Sequence, residues 1–280
     1  MSGTLFIVPT PIGQPSDLSP RGVEVLSRAS VVAAEDTRVL AALLRELGLP
    51  SRPSVSTHDH NEADRAAGLV ARMLGGEDVA LVSDAGTPLV SDPGYRVVVA
   101  AIEAGVPVVV LPGPCAAITA LVGSGLPPDR FLFLGFLPRD EGPRATALET
   151  RRFDPATLVL YEAPHRVVEL LDTVQRVLGE SRRVVVARSL TKVWEEWIRG
   201  TAEEVAERFR AEDPVRGELT VVIEGFRGDA GEAEAERLDS VIRGLAEAGV
   251  SPGVIRDVLA PVYDRPRREI YQRALGYRNR

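Results

Sequence analysis

The sequence predicts an α/β protein made of two α/β domains, the first with a parallel sheet and the second with a mixed sheet, followed by a small helical module. Three observations carry this expectation. Strand-like and helix-like stretches alternate through the first half of the chain. The strands there are continuous apolar runs such as "VALV" and "VPVVVLP", the pattern of a parallel sheet covered on both faces. Near the C-terminus a polar Gly/Ala/Glu-rich stretch, "FRGDAGEAEAE", sets three short helix-like segments apart from the rest.

The elements follow in order. "LFIVPTP" is a short strand stopped by Pro and Gly, and a helix runs from about Pro20 to Ala29. "SVVAAED" is a second strand ending on Glu35, Asp36 and Thr37; "RVLAALLREL" has helical spacing, with Gly48 and Pro50 as stop signals. After "STHDHNE" a helix continues through Met73, then come the strand "DVALVSD", the loop "LVSDAGTPLVSDPGYR" and another helix. "VPVVVLPGP" is a strand and "CAAITALVGSG" a helix of small residues. In the second half "DRFLFLGFLPR", "ATLVLYEAPHR", "RRVVVARSLTKVWEEWIRGT" and "GELTVVIEG" supply strands, and "VVELLDTVQRVLG" and "AEEVAERFR" helices. The expected divisions are 1–113, 114–226, a linker at 227–236 and a module at 237–280. In that module the turn "AGVSPG" carries the Gly and N-cap Ser of a helix-turn-helix.

Composition narrows the class. A chain of 280 residues with 45% hydrophobic content has enough apolar side chains for globular cores. No apolar run reaches membrane-spanning length, and the N-terminus lacks the order of a signal peptide. The single cysteine, Cys115, cannot form an internal disulfide and fits a reducing compartment, so a cytoplasmic protein without membrane partners is expected. The net charge of −7 argues against a surface coated all round for nucleic acid. Seven arginines nevertheless crowd positions 256–280, and a local basic face of that kind can hold a polyanion. Lys192 is the only lysine, and Asn61 and Asn279 are the only asparagines. In a chain that otherwise uses Arg, the surviving lysine is a candidate for chemistry, because a guanidinium does not replace a compact, titratable ammonium.

The common nucleotide and hydrolase motifs are missing. There is no G-x-G-x-x-G after the first strand, no G-x-x-x-x-G-K-[ST], no C-x-x-C, no H-E-x-x-H and no G-x-S-x-G. "HDHNE" offers His58, His60 and Glu62 without a clear fourth ligand, so no metal is expected and a substrate contact is preferred. Ligands of parallel sheets bind beyond the strands' carboxyl ends, where "PTPIG", "AEDTR", "VSDAGTP" and "PGPCAA" all lie. Their glycines permit close backbone approach. An acidic, glycine-rich loop without a phosphate-binding lysine suits a cationic small molecule. S-adenosylmethionine, with its sulfonium, ammonium, carboxylate and flat adenine, fits that description.

"LFIVPTPIG", "AAEDTR", "HDHNE", "LVSDAGTPLVSDPGY", "PGPCAAITAL", "DRFLFLGFLPR", "LVLYEAPHR", "ARSLTKVWEEWIRGT" and "GELTVVIEG" follow one another in an order and spacing that resemble the tetrapyrrole-methylase-like (class III) methyltransferases. The resemblance runs from about Leu5 to Gly225, and the helical tail resembles the C-terminal module of the family's RNA-modifying branch. "VPTPIG" stands where porphyrin and corrin methylases have G-x-G-P-G, whereas "AEDTR", "HNE" and "EAPHR" look like the RNA-modifying branch. Cys115 and Ala163 occupy positions where that branch more often has Ser, so neither hydroxyl is essential.

The resemblance implies S-adenosylmethionine-dependent 2′-O-methylation of a cytidine ribose in 16S rRNA, with the small ribosomal subunit as partner and a homodimer as the assembly. A methylase of a small tetrapyrrole and a catalytically silent RNA-binding factor stay open as alternatives. It further implies a cofactor held between the two domains by Pro11, Ile12, Asp84, Thr87, Cys115, Ala116, Tyr161, Glu162, Ala163, Leu219 and Thr220. Lys192, Glu162, His165 and Asp36 are the catalytic candidates; Arg38, His60, Asn61, Arg166, Arg267 and Arg268 are the RNA-binding ones. Ser91 and Asp92 are assigned to the start of the following helix.

Overall fold

The computed structural model describes residues 2–57 and 62–278. Two compact units emerge, Met1–Glu149 with Ala156–Glu224, and Thr150–Pro155 with Gly225–Arg280. The first unit holds two five-stranded sheets.

The first sheet is wound from β1 (Leu5–Ile7), α1 (Pro20–Arg28), β2 (Val31–Ala34), α2 (Thr37–Glu46), β3 (Ser54–Ser56), α3 (Glu62–Leu74), β4 (Val79–Val82), α4 (Tyr95–Glu103) and β5 (Val108–Val110). Its order is β3-β2-β4-β1-β5 and every pairing is parallel, as the uninterrupted apolar runs predict. Alternate residues face opposite ways. Phe6, Val32, Ala34, Ala80 and Val82 pack with Val25, Leu26, Leu40 and Leu44 of α1 and α2. Leu5, Ile7, Val31, Ala33, Val79 and Leu81 pack with Leu69, Met73, Val97 and Ala101 of α3 and α4. Burying each large aliphatic side chain contributes roughly 1.5–3 kcal/mol, which is why the strands need no polar face.

The second sheet is built from α5 (Ala116–Ser124), β6 (Phe131–Phe136), α6 (Glu141–Glu149), β7 (Thr157–Glu162), α7 (Val167–Leu178), β8 (Arg183–Arg188), β9 (Glu196–Thr201), α8 (Ala202–Arg210) and β10 (Leu219–Ile223). The order is β6-β7-β10-β8-β9, with β6–β7 parallel and the other pairs antiparallel. The single stretch "RRVVVARSLTKVWEEWIRGT" therefore folds into two strands, β8 and β9, joined by a turn at 189–195. One face of this sheet packs on α6, α7 and α8. On the other face Ala117, Ala120 and Leu121 of α5 meet Val159, Val185 and Val222, and Ile12 from the loop after β1 joins them. The sequence pattern did not yield α6 or the short edge strand β3.

The second unit is a helical cluster of α9 (Ala230–Glu247), α10 (Pro252–Val262) and α11 (Arg267–Arg278) around Leu238, Ile242, Ile255, Leu259, Ile270 and Ala274. Ser251 caps α10 by accepting the Val254 N–H, as the "AGVSPG" turn predicts. The expected linker at 227–236 needs correction, because α9 begins at Ala230. Its "AGEAEAE" run is dominated by Ala and Glu, two of the best helix formers, so propensity outweighs the polar composition that suggested a linker.

Candidate active site

Three loops leave the carboxyl ends of the first sheet and are tied to one another. After β1, Thr10 forms an antiparallel bridge with Gly86 in the loop after β4: the Thr10 N–H donates to Gly86 O at 2.8 Å and the Gly86 N–H to Thr10 O at 3.1 Å. Gly86 takes a positive φ of +89°, where a Cβ would also lie 3.3 Å from Ile12 Cγ2. The Thr87 hydroxyl then donates to Pro114 O at 2.8 Å, fixing the loop that opens α5.

These loops face the second sheet across a cavity of about 340 Å³. Its wall includes Ile12, Gly86, Thr87, Ala116, Tyr161, Glu162, Ala163, Leu219 and Thr220, so eight of the expected cofactor contacts share one cavity. Pro11, Asp84 and Cys115 are not in the wall. Cys115 is the N-cap of α5, with no side-chain cap bond. Ser91 and Asp92 do not start the next helix. The N-cap of α4 is Gly94, Ser91 has φ +66°, and both residues line the cavity. Phe136, Val90 and Glu218 were also missed. Phe136 and Glu218 end or precede apolar runs, and nothing in a linear pattern tells a cavity wall from a strand terminus.

Glu162 is the unusual group. It ends β7 with its side chain only 1% exposed, and its Oε2 is buried without a hydrogen-bond partner. Oε1 accepts the Ala163 N–H at 2.8 Å and lies 3.3 Å from the Arg166 Nε. Burial pushes the carboxyl above its ordinary value, with the Ala163 bond and the Arg166 charge opposing the rise. Beside it, the Tyr161 hydroxyl accepts the Ala117 N–H at 3.3 Å, and burial pushes its pKa up.

Other expected site residues are engaged elsewhere. The Arg166 guanidinium donates to Leu137 O at 2.9 Å and to Pro138 O at 3.3 Å, besides its approach to Glu162. Asp36 caps α2 through the Arg38 N–H at 2.8 Å and pairs with the Arg38 guanidinium at 2.6 Å. That pairing holds its pKa down at about 2. The Asp84 carboxylate accepts the Asp36 N–H at 3.0 Å, so Asp36, Arg38 and Asp84 form a charged cluster outside the cavity wall. His165 is exposed in the short turn after β7 and does not line the cavity. His60 and Asn61, with His58, fall outside the described residues.

Lys192 stands at the cavity rim. Its Nζ lies 2.7 Å from Glu218 Oε1, and Glu218 belongs to the wall. The turn that carries it presses on Gly13, where a Cβ would come within 2.6 Å of Lys192 Cγ and of Thr191 Oγ1. Only glycine allows this approach.

The cavity suits a nucleoside-sized ligand carrying positive charge. Its volume is of the order expected for small-molecule sites, its walls are mainly apolar, and its most deeply buried ionisable side chain is an acid with an unpartnered oxygen. Among the described residues no group of three or more His, Cys, Asp or Glu is placed to hold a metal.

A family model for tetrapyrrole (corrin/porphyrin) methylases matches residues 4–206. The ribosomal RNA small subunit methyltransferase I of Micromonospora olivasterospora is 49% identical over 274 residues, covering 97% of this chain and 86% of that one. The proteins of the same name from Escherichia coli O157:H7 and Synechocystis are 47% and 41% identical, over 84% and 98% of this chain and 82% and 98% of their own. Among solved structures, the methyltransferase CobJ matches with a TM-score of 0.60 at 18% identity, covering 81% of this chain and 98% of its own. Uroporphyrin-III C-methyltransferase from Thermus thermophilus, solved with S-adenosyl homocysteine, matches at 0.55 and 22% identity over 79% and 97%. The family model and the curated relatives make this a methyltransferase, and its fold is of the two-sheet α/β class. The chain belongs to the tetrapyrrole methylase family and, within it, to the group of ribosomal RNA small subunit methyltransferase I proteins.

Proposed function

We propose that this protein methylates the ribose 2′-oxygen of a cytidine in 16S rRNA, using S-adenosylmethionine. Identity of 41% to 49% over most of the chain to proteins named for small-subunit ribosomal RNA supports the substrate. The observation that carries the chemistry is Glu162, a residue of the cavity wall whose buried Oε2 has no hydrogen-bond partner.

When bound, S-adenosylmethionine supplies an electrophilic methyl on a positively charged sulfur. Ile12, Val90, Phe136 and Leu219 give apolar surface for an adenine, and the Gly86 backbone admits close approach. Glu162 takes the 2′-hydroxyl proton as that oxygen bonds to the methyl carbon and the carbon–sulfur bond breaks. Its raised pKa brings the carboxylate nearer the strength a general base needs. Arg166 holds Glu162 in place. Lys192 reaches the phosphate next to the acceptor, because its partner Glu218 is 72% exposed and an exposed pair is weak enough to exchange. Alignment of acceptor and methyl supplies much of the remaining acceleration.

The reaction is placed in the cytoplasm, on the small ribosomal subunit or its free RNA, with two copies of the chain as the assembly. No helix among the described residues is long and apolar enough to cross a membrane. Arg265, Arg267 and Arg268 of the helical unit add contacts to the RNA backbone. Mass mapping of 16S rRNA from a deletion strain, before and after treatment with protein and cofactor, tests the reading: one ribose methyl should appear on treatment. An unchanged map would refute it.

A further inference from the structure

The turn between β8 and β9 holds its backbone with more hydrogen bonds than a connection of its length requires. The Lys192 N–H donates to Ser189 O at 3.0 Å and the Glu195 N–H to Lys192 O at 3.0 Å. The Glu195 carboxylate accepts the Thr191 N–H at 2.6 Å and the Trp197 indole N–H at 2.9 Å, bonds that lower its pKa. Thr191 Oγ1 accepts the Gln14 N–H at 3.1 Å, anchoring the turn to the loop after β1. Ser189 and Thr191 both take positive φ, at 51° and 62°, a strained conformation that the surrounding bonds must maintain.

What this clamped turn projects is apolar and touches little. Val193 is 91% exposed and Trp194 77% exposed, whereas the other tryptophan, Trp197, packs against the core of the second sheet. Lys192, whose ammonium reaches the cavity rim, lies two residues before Trp194. A solvent-facing indole on a hydrogen-bonded turn, two residues from a lysine, suits an unpaired nucleotide: the ring stacks on a base while the ammonium meets a phosphate. The indole has only two side-chain torsions, so little freedom is lost on stacking.

We propose that Trp194 is a base-stacking platform that holds an unpaired nucleotide of the RNA at the mouth of the cavity. This rests on the RNA-methyltransferase reading above. The platform acts on substrate affinity, not on the chemical step, because no part of it lines the cavity.

The test compares Trp194→Ala and Trp194→Phe with the wild type. Trp194→Ala should raise KM for small-subunit RNA about 10- to 100-fold. Its kcat and its affinity for S-adenosyl homocysteine by calorimetry should change less than about threefold. Trp194→Phe, which keeps a stacking face, should recover most of the loss. Independently, a single-stranded RNA oligonucleotide should quench indole emission in the wild type and fail to do so in Trp194→Phe. An unchanged KM in Trp194→Ala would overturn the proposal. So would a loss of activity accompanied by a changed sedimentation coefficient, which would assign Trp194 to a contact between protein chains. If the wild type methylates no 16S rRNA, the substrate reading fails, and oligonucleotide quenching still decides whether Trp194 stacks on RNA.

Discussion

The β8–β9 turn carries one lysine and the helical unit carries a crowd of arginines, yet the crowd offers a ligand less charge than its number suggests. Arg256 donates to both Asp257 oxygens at 2.8 Å, Arg273 meets Glu269 at 2.7 Å, and Arg243 lies 3.6 Å from Asp239. Arg267 sits 3.8 Å from Asp257. Arg265 and Arg268 make no ion pair among the described residues. The charge available to RNA is what internal carboxylates leave over. In the turn, by contrast, Lys192 has one exposed partner and lies at the edge of a cavity.

The comparison can be broken most severely at the cavity. Glu162→Gln should lower kcat about 10²- to 10⁴-fold, the range for loss of a general base, while cofactor affinity by calorimetry stays within a few-fold. Retained turnover would remove Glu162 from the reaction. Lys192→Ala should come next, with kcat/KM for RNA falling about 10-fold or more, as expected when a charged hydrogen bond to substrate is lost. Near-normal activity with unchanged cofactor binding would end its role.

The helical unit should respond more mildly. Arg265→Ala with Arg268→Ala should weaken RNA binding about equally across sequences and flatten the dependence of log K on log salt by about two. Arg256→Ala with Arg273→Ala should lower the melting temperature more than it changes that slope, because those side chains are paired within the unit. Equal slopes for both double variants would erase the distinction.

The smallest effect is on stability. A raised carboxyl pKa favours the folded state below the ordinary value of 4.5 and withdraws that support as pH rises through the folded value. At pH 8 the wild type therefore bears the cost of a buried charge that Glu162→Gln does not. The variant should melt higher than the wild type at pH 8, and the gap should close as pH falls toward 4.5. Melting followed by circular dichroism across that range checks the sign.

Much of this was legible before any coordinates. The apolar runs announced a parallel first sheet, and the Pro and Gly punctuation placed its ligand loops, because both depend on neighbours in sequence. Ile12, Thr87, Ala116, Tyr161, Glu162, Ala163, Leu219 and Thr220 were nameable from ordered motifs and do share one cavity. The partners of Arg166 and Asp36 were not legible, for a common reason. Their residue types suit substrate contact or catalysis, but whether a charge is free depends on carbonyls and carboxylates that folding brings near.

The sequence by itself determined the alternation of elements, the loops that carry the site and the singularity of Lys192, since these follow from local periodicity and composition. Only the tertiary structure decided that Glu162 keeps an unpartnered oxygen, that Arg166 is committed to the backbone at 137 and 138, and that Trp194 stands clear of the surface. Burial and hydrogen-bond satisfaction are properties of atoms distant in the chain, and no linear pattern records them.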